Sequence, residues 1–147
     1  MSRTLARKVR SAGRPPGSSP DDRKLVAQAI ELLRRRFVAG RHTVAAAVRT
    51  RSGAVYLGVN LDGIHTPCAE PVAVGAAVIA GDGAIVAMVA VRRRGRAYEI
   101  LPPCGTCRQL LFDYAPRAYA LVPAGRGRAR RLRADALLPS AFSTFGS

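Results

Sequence analysis

Three cysteines and one glutamate define the chemistry open to this chain. Cys68 stands two residues before Glu70 in HTPCAEPVAV (residues 65–74), and the only other cysteines, Cys104 and Cys107, form C-x-x-C in LPPCGTCRQL (101–110). Residues three apart in the first turn of a helix share one face, so Cys104 and Cys107 can grip one ion. Cys68 brings the count to three thiolates and leaves one tetrahedral corner open, the ligand arithmetic of a catalytic zinc site. Zinc lowers the pKa of water in such a corner to about 7, and Glu70 is placed to take its proton and pass it on. A closed structural site is the competing arrangement. It needs a fourth ligand, which His65 or His42, the only two histidines, would have to supply.

The elements that must position these residues can be read from patterning. Proline is tolerated only in the first turn of a helix, so Pro71 requires the helix in CAEPVAVGAAVIA to begin at about residues 67–69. In a regular helix Cys68 and Glu70 would point about 200° apart. With Cys68 at the non-helical cap position, both side chains can turn toward one pocket. Residues 104–114 predict a second ligand-bearing helix, and AIVAMVAV (84–91) reads as a buried strand.

Upstream, Ser19-Pro20-Asp21-Asp22 has the form of a helix start: cap, proline at the first position, acid at the third. Val26, Ile30, Leu33 and Phe37 then recur at helical spacing until Gly40. Segments 43–50 and 54–60, joined by Arg51-Ser52-Gly53, predict a hairpin followed by a loop over 61–67. Further strands are expected at 118–122 and near 128–132, with a short helix at 134–138. Such alternation favours a sheet with helices on its faces.

A chain of 147 residues with 48% apolar content suits one globular domain. The most apolar stretch, 71–91, is broken by Gly81-Asp82-Gly83, which excludes a spanning helix. Residues 1–18 are basic and rich in Pro, Gly and Ser, which predicts a disordered tail ahead of a catalytic domain over 19–147. An odd number of cysteines and no secretory apolar run point to a reducing compartment, the cytoplasm. The net charge of +15, with Arg34–Arg36, RRRGR (92–96) and RGRARRLR (126–133) as clusters, is compatible with a phosphate-binding surface. Nucleic acid is nonetheless not the favoured partner. Only Lys8 and Lys24 among 24 basic residues are lysine, a skew that GC-rich codons produce, and few aromatic residues are interleaved for base stacking.

C-A-E at 68–70, followed by P-C-G-x-C-R-Q at 103–109, resembles the zinc-dependent cytidine deaminases, specifically their small three-cysteine branch. GVN at 58–60, CRQLLFD at 107–113 and LLPSAF at 137–142 make the pattern most similar to the blasticidin S deaminases within that family. The resemblance covers roughly residues 43–145 and implies a three-layer α/β/α sandwich with a mixed five-stranded sheet. It implies one Zn²⁺ per subunit on Cys68, Cys104 and Cys107, with Glu70 as proton shuttle. The implied reaction is hydrolytic: the 4-amino group of a cytosine nucleoside, or of a cytosine nucleoside antibiotic, becomes a carbonyl and ammonia leaves.

Asn60 matches the family asparagine that contacts the sugar. Asp62 stands where free-nucleoside enzymes usually carry a glutamate for the ribose 3′-hydroxyl. The Ala69 N–H corresponds to the donor for the ring carbonyl oxygen. Phe142 and Phe145 fall where relatives place aromatic residues over the substrate, often across a subunit boundary, and a homotetramer is implied, with a dimer second. One departure concerns charge. Three thiolates on a divalent ion leave a net −1, and Pro71 occupies the place where this branch often has an arginine. Arg108 and the positive N-termini of the two ligand-bearing helices are then the groups left to offset it. A deaminase acting on single-stranded nucleic acid and a non-catalytic zinc-stabilised binding module are the alternatives.

Overall fold

The computed structural model describes residues 19–144; the basic tail at 1–18 and Phe145 lie outside the described residues. Helix α1 (Pro20–Arg36) starts as its sequence predicts, with Pro20 in the first turn and the Asp22 N–H donating to Ser19 Oγ at 3.1 Å. Its fully buried stripe is Leu25, Ala29 and Leu33, while Val26, Ile30 and Phe37 pack only partly buried at the margin. The apolar face is therefore centred beside the Val26–Phe37 row expected from spacing alone.

The hairpin forms as β1 (Val44–Thr50) and β2 (Val55–Val59), in register Ala46↔Gly58 and Val48↔Tyr56. Helix α2 (Ala69–Ile79) then leads into β3 (Ile85–Arg94), which pairs antiparallel with β1 along its length. Strand β4 (Ala97–Leu101), helix α3 (Gly105–Tyr114), β5 (Tyr119–Pro123), β6 (Ala129–Arg133) and the short α4 (Ala134–Leu137) complete the order.

The sheet is mixed and has six strands, one more than expected, in the order β2-β1-β3-β5-β6 with β4 also on β3. The strand missed from sequence is β4. Its partner residues Arg92–Arg94 look like a solvated charge run, yet they continue β3 beyond its apolar stretch, and Gly95 at φ +60° turns the chain back. One edge of β3 is thus shared: Ala87 and Met88 pair in parallel with β5, and Ala90–Arg94 pair antiparallel with β4.

Helices cover both faces, which gives the three-layer sandwich. Alternation along β3 shows the division: Val89 and Val91 join the core under α1, while Met88 and Ala90 join the core that holds Ala73 and Ala77 of α2 and Leu111 of α3. None of the described helices is long and apolar enough to cross a membrane.

Candidate metal and active site

Two helix N-termini carry the three thiols. Cys68 is the N-cap of α2 (φ −61°, ψ 167°) and Cys104 the N-cap of α3 (φ −68°, ψ 173°), both extended as a cap residue must be. Their sulfurs differ in one respect. Cys104 Sγ accepts from the Cys107 N–H at 3.5 Å, whereas Cys68 caps nothing, because the equivalent third helical position is Pro71, which has no N–H. The Cys68 sulfur is left free of the backbone.

What holds α2 in place is Gly58 on β2. A Cβ there would lie 2.5 Å from both Ala69 O and Ala73 N, so only glycine lets the start of the helix sit this close to the sheet. Small residues Ala69, Ala73 and Ala77, all fully buried, continue the close approach.

The Sγ atoms of Cys68, Cys104 and Cys107 lie within 4.8 Å of one another, and Cys68 and Cys104 are 3.6 Å apart. Zn–S bonds of about 2.3 Å at tetrahedral angles require sulfurs about 3.8 Å apart, so the donor set fits zinc with little movement. Neither histidine joins the group. His42 places Nδ1 2.9 Å from Asn60 O, and His65 is exposed in the 61–67 loop. Three sulfurs with no fourth His, Cys, Asp or Glu in the group among the described residues would leave one tetrahedral corner of an ion open.

Electrostatics also favour a cation here. Burial, with the neighbouring Cys104 thiol, pushes the Cys68 thiol above its ordinary value, and burial beside Glu70 drives Cys107 up strongly. For Cys104 burial works the same way, but backbone and thiol hydrogen bonds led by the Cys107 N–H outweigh it and hold this thiol low. Crowded thiols of this kind lose their protons together when a divalent ion binds.

Glu70, 4% exposed, lies one residue into α2. Burial raises its carboxyl above the usual carboxylate range, and its own backbone N–H and then the Cys107 thiol oppose this only in part. Glu70, Cys68 and Cys104 line a cavity of about 260 Å³ with Asn60, Asp62 and Ala69. A larger hollow of about 550 Å³ between the end of α1 and β2 contains none of the thiols.

Asn60 is heavily engaged. Its Oδ1 accepts from the N–H groups of Thr43 (2.8 Å) and Val44 (2.9 Å), and its Nδ2 donates to Asp62 Oδ1 at 3.2 Å. It ties the start of β1 to the cavity wall and orients Asp62. Arg108 donates Nε to Pro103 O at 2.8 Å and Nη1 to Leu137 O at 3.2 Å, so it clamps the approach to Cys104 against the end of α4. Phe142 is 73% exposed; its carbonyl accepts from Gln109 Nε2 at 2.9 Å. The fixed segment 142 is thus held on α3, outside the cavity of its own chain.

Residues 19–122 match the family described as cytidine and deoxycytidylate deaminase zinc-binding region. The chain belongs to this family. It is 32% identical over 133 residues to blasticidin-S deaminase from Bacillus cereus, covering 85% of this chain and 94% of that protein. It is also 32% identical over 129 residues to a cytidine deaminase from Halalkalibacterium halodurans, covering 84% and 95%. The crystal structure of cytidine deaminase from Mycobacterium tuberculosis superimposes with a TM-score of 0.70 at 30% identity, over 85% of this chain and 99% of that one. Membership makes the chain a zinc-dependent deaminase, a hydrolase acting on a C–N bond.

Two features escaped the sequence, one at the cavity and one on the α1 face of the sheet. The sharing of the β3 edge by β4 forms a cavity wall, Leu101 opposite Ala90, that an arginine run concealed. Fully buried Asp22 read only as a helix-start acid, whereas it accepts from Tyr119 OH and Arg131 Nε, each at 2.7 Å, on the face away from the cavity.

Proposed function

We propose that the substrate is a free cytosine nucleoside, cytidine or deoxycytidine, or a cytosine nucleoside antibiotic of the blasticidin S kind. Water replaces the 4-amino group, leaving a carbonyl and releasing ammonia. The observation that carries this reading is the cluster of three thiols, two of which, Cys68 and Cys104, line one small cavity together with buried Glu70 and Ala69, the first residue of α2. Bound zinc, held by Cys68, Cys104 and Cys107, supplies the Lewis acidity that makes water nucleophilic near neutral pH.

The chain's own residues then divide the work. Ala69 is the first residue of α2, so its N–H has no intrahelical acceptor and donates to the ring carbonyl oxygen, fixing the base. Glu70, whose burial makes it hold a proton more readily than a surface glutamate, takes the proton of the attacking water. It delivers that proton to the ring nitrogen and assists the departing amine. Asp62, oriented by Asn60, accepts from a sugar hydroxyl. Arg108 supports the site indirectly, by fixing the segment that presents Cys104.

We place Phe142 against a neighbouring subunit's cavity in a homotetramer, with a dimer as the second assembly; Phe145 is assigned the same role. All three cysteines are unpaired, which suits the cytoplasm.

The test is a panel of cytidine, deoxycytidine, blasticidin S and a cytosine-containing single strand, read by ultraviolet absorbance and ammonia release, with zinc measured in the same sample. Turnover of at least one free nucleoside that Glu70→Gln abolishes is the expected result. Activity on the strand alone would transfer the assignment to a polynucleotide enzyme. Zinc-loaded protein inert toward all four would overturn it.

A further inference from the structure

The outer part of the β3–β4 hairpin bears no role in the chemistry above, yet its register sets it beside the cavity. Ala90 and Leu101 face each other across β3 and β4, and both line the cavity, as does Val44 of β1. Two residues farther along the same face, Arg92 lies opposite both Val44 and Glu99, and Arg94 follows. At a strand rise of about 3.3 Å per residue, Arg92 stands about 7 Å and Arg94 about 13 Å beyond the wall residue Ala90.

Nothing covers this stretch from the helix side among the described residues. Helices α2 and α3 both begin at the cavity and run toward the other end of β3: α2 ends just before β3 starts, and α3 ends just before β5, which pairs Ala87 and Met88. The burial of β3 changes accordingly, from buried through Val91 to exposed at Arg92–Arg94. The hairpin therefore extends as a ledge past the two helix N-termini.

Its charge is one-sided. Arg92 Nε pairs with Glu99 Oε1, and Arg94 Nη1 lies 3.3 Å from Glu99 Oε2, so two guanidinium groups share one carboxylate. The side chains of Arg92 and Arg94 remain 51% and 77% exposed, with donors to spare. Guanidinium forks bind phosphate and carboxylate oxygens in pairs. The acids at the cavity itself are Asp62, which accepts from Asn60 Nδ2, and Glu70, and neither is paired with this cluster among the described residues.

We propose that the Arg92–Glu99–Arg94 ledge is a specificity element of the active site, which favours cytosine nucleosides whose sugar carries an oxyanion, phosphate or carboxylate, over the neutral nucleoside. The inference rests on the deaminase function proposed above. When such a substrate enters, its oxyanion replaces Glu99 as partner of one or both arginines while the base reaches the thiols.

The experiment compares kcat/KM for cytidine, cytidine 5′-monophosphate and the cytosine nucleoside with a 5′-carboxylate, in zinc-loaded protein. The charged-to-neutral ratio should fall roughly tenfold in the Arg92→Ala/Arg94→Ala double variant, chiefly through KM, and rise in Glu99→Gln. The two charged substrates separate a phosphate from a carboxylate source. Arg117→Ala, which removes a charge from the exposed α3–β5 turn at the far end, is the control for overall attraction and should leave the ratio unaltered. An unchanged ratio in both ledge variants, equal loss in Arg117→Ala, or turnover of cytidine with neither charged substrate accepted would overturn the proposal. Failure on cytidine and both charged substrates would instead strike the deaminase assignment.

Discussion

The two faces of the sheet are built on different principles. On the cavity face the backbone comes close: Gly58 and the alanines of α2 bring a helix start onto the sheet, and the chemistry sits on the caps and first turns of two helices. On the α1 face larger side chains, Leu25, Leu33 and Leu121, fill the space. That face also carries a buried ionic network. Asp22 accepts from Tyr119 and Arg131, Arg49 Nη2 donates to the Tyr119 hydroxyl at 2.7 Å, and the Arg131 guanidinium lies 4.5 Å from the Tyr119 ring centre. The contrast teaches that polar residues at the thiols should govern rate, whereas polar residues under α1 should govern stability.

The sharpest way to separate the faces is Glu70→Gln. Turnover should fall by about 10²–10⁴-fold with zinc content and thermal midpoint retained, because the change removes proton transfer and little volume. A midpoint that drops with the rate would mean that Glu70 serves the fold.

Cys107→Ala comes next. This buried sulfur is one of the three proposed to hold the ion, so the variant should retain far less than one zinc per chain and lose activity with it. Full zinc occupancy by metal analysis would show that the ion is held elsewhere.

Asp22→Asn should do the reverse of Glu70→Gln. Leaving Arg131 and Arg49 without their carboxylate costs on the order of 3 kcal/mol in urea unfolding, while kcat of the folded enzyme stays near the parent value. Burial alone would raise the Asp22 carboxyl, but Arg131 and Tyr119 overcome it and hold it below the ordinary 3.8. A depressed folded pKa stabilises above the unfolded value, and that contribution is lost as pH falls through the folded one. The parent should therefore lose stability below about pH 4 more steeply than Asp22→Asn. Parallel acid titrations would contradict this.

Gly58→Ala breaks the comparison by coupling both properties. The added methyl meets α2 backbone at 2.5 Å, so the helix start must shift, with a cost of about 1–3 kcal/mol and a loss of activity from misplaced Cys68 and Glu70. Unchanged rate and stability would show that the close approach is dispensable.

How much of this was legible from the sequence follows the same division. The cavity face was readable because its signals are local: Pro71 forces the start of α2, a cap position turns Cys68 inward, and C-x-x-C defines a shared helical face. The hairpin at Arg51–Gly53 and the cap at Ser19 were equally local. What escaped depends on distant partners. Asp22 meets Arg131 across 109 residues of chain, and β4 becomes a strand only because Arg92–Arg94 extend its partner. Nor could the position of Phe142 be read, since the C-terminal segment is held by Gln109 on α3 rather than by a pattern of its own.

The central claim is an ion held by three sulfurs with one corner left for a small ligand beside Glu70. X-ray absorption at the zinc edge of the purified protein tests it most directly. The account predicts three sulfur neighbours at about 2.3 Å and one light atom at about 2.0 Å. Zinc bonded to fewer than three sulfurs, or enclosed by three sulfurs and a histidine ring, would contradict it.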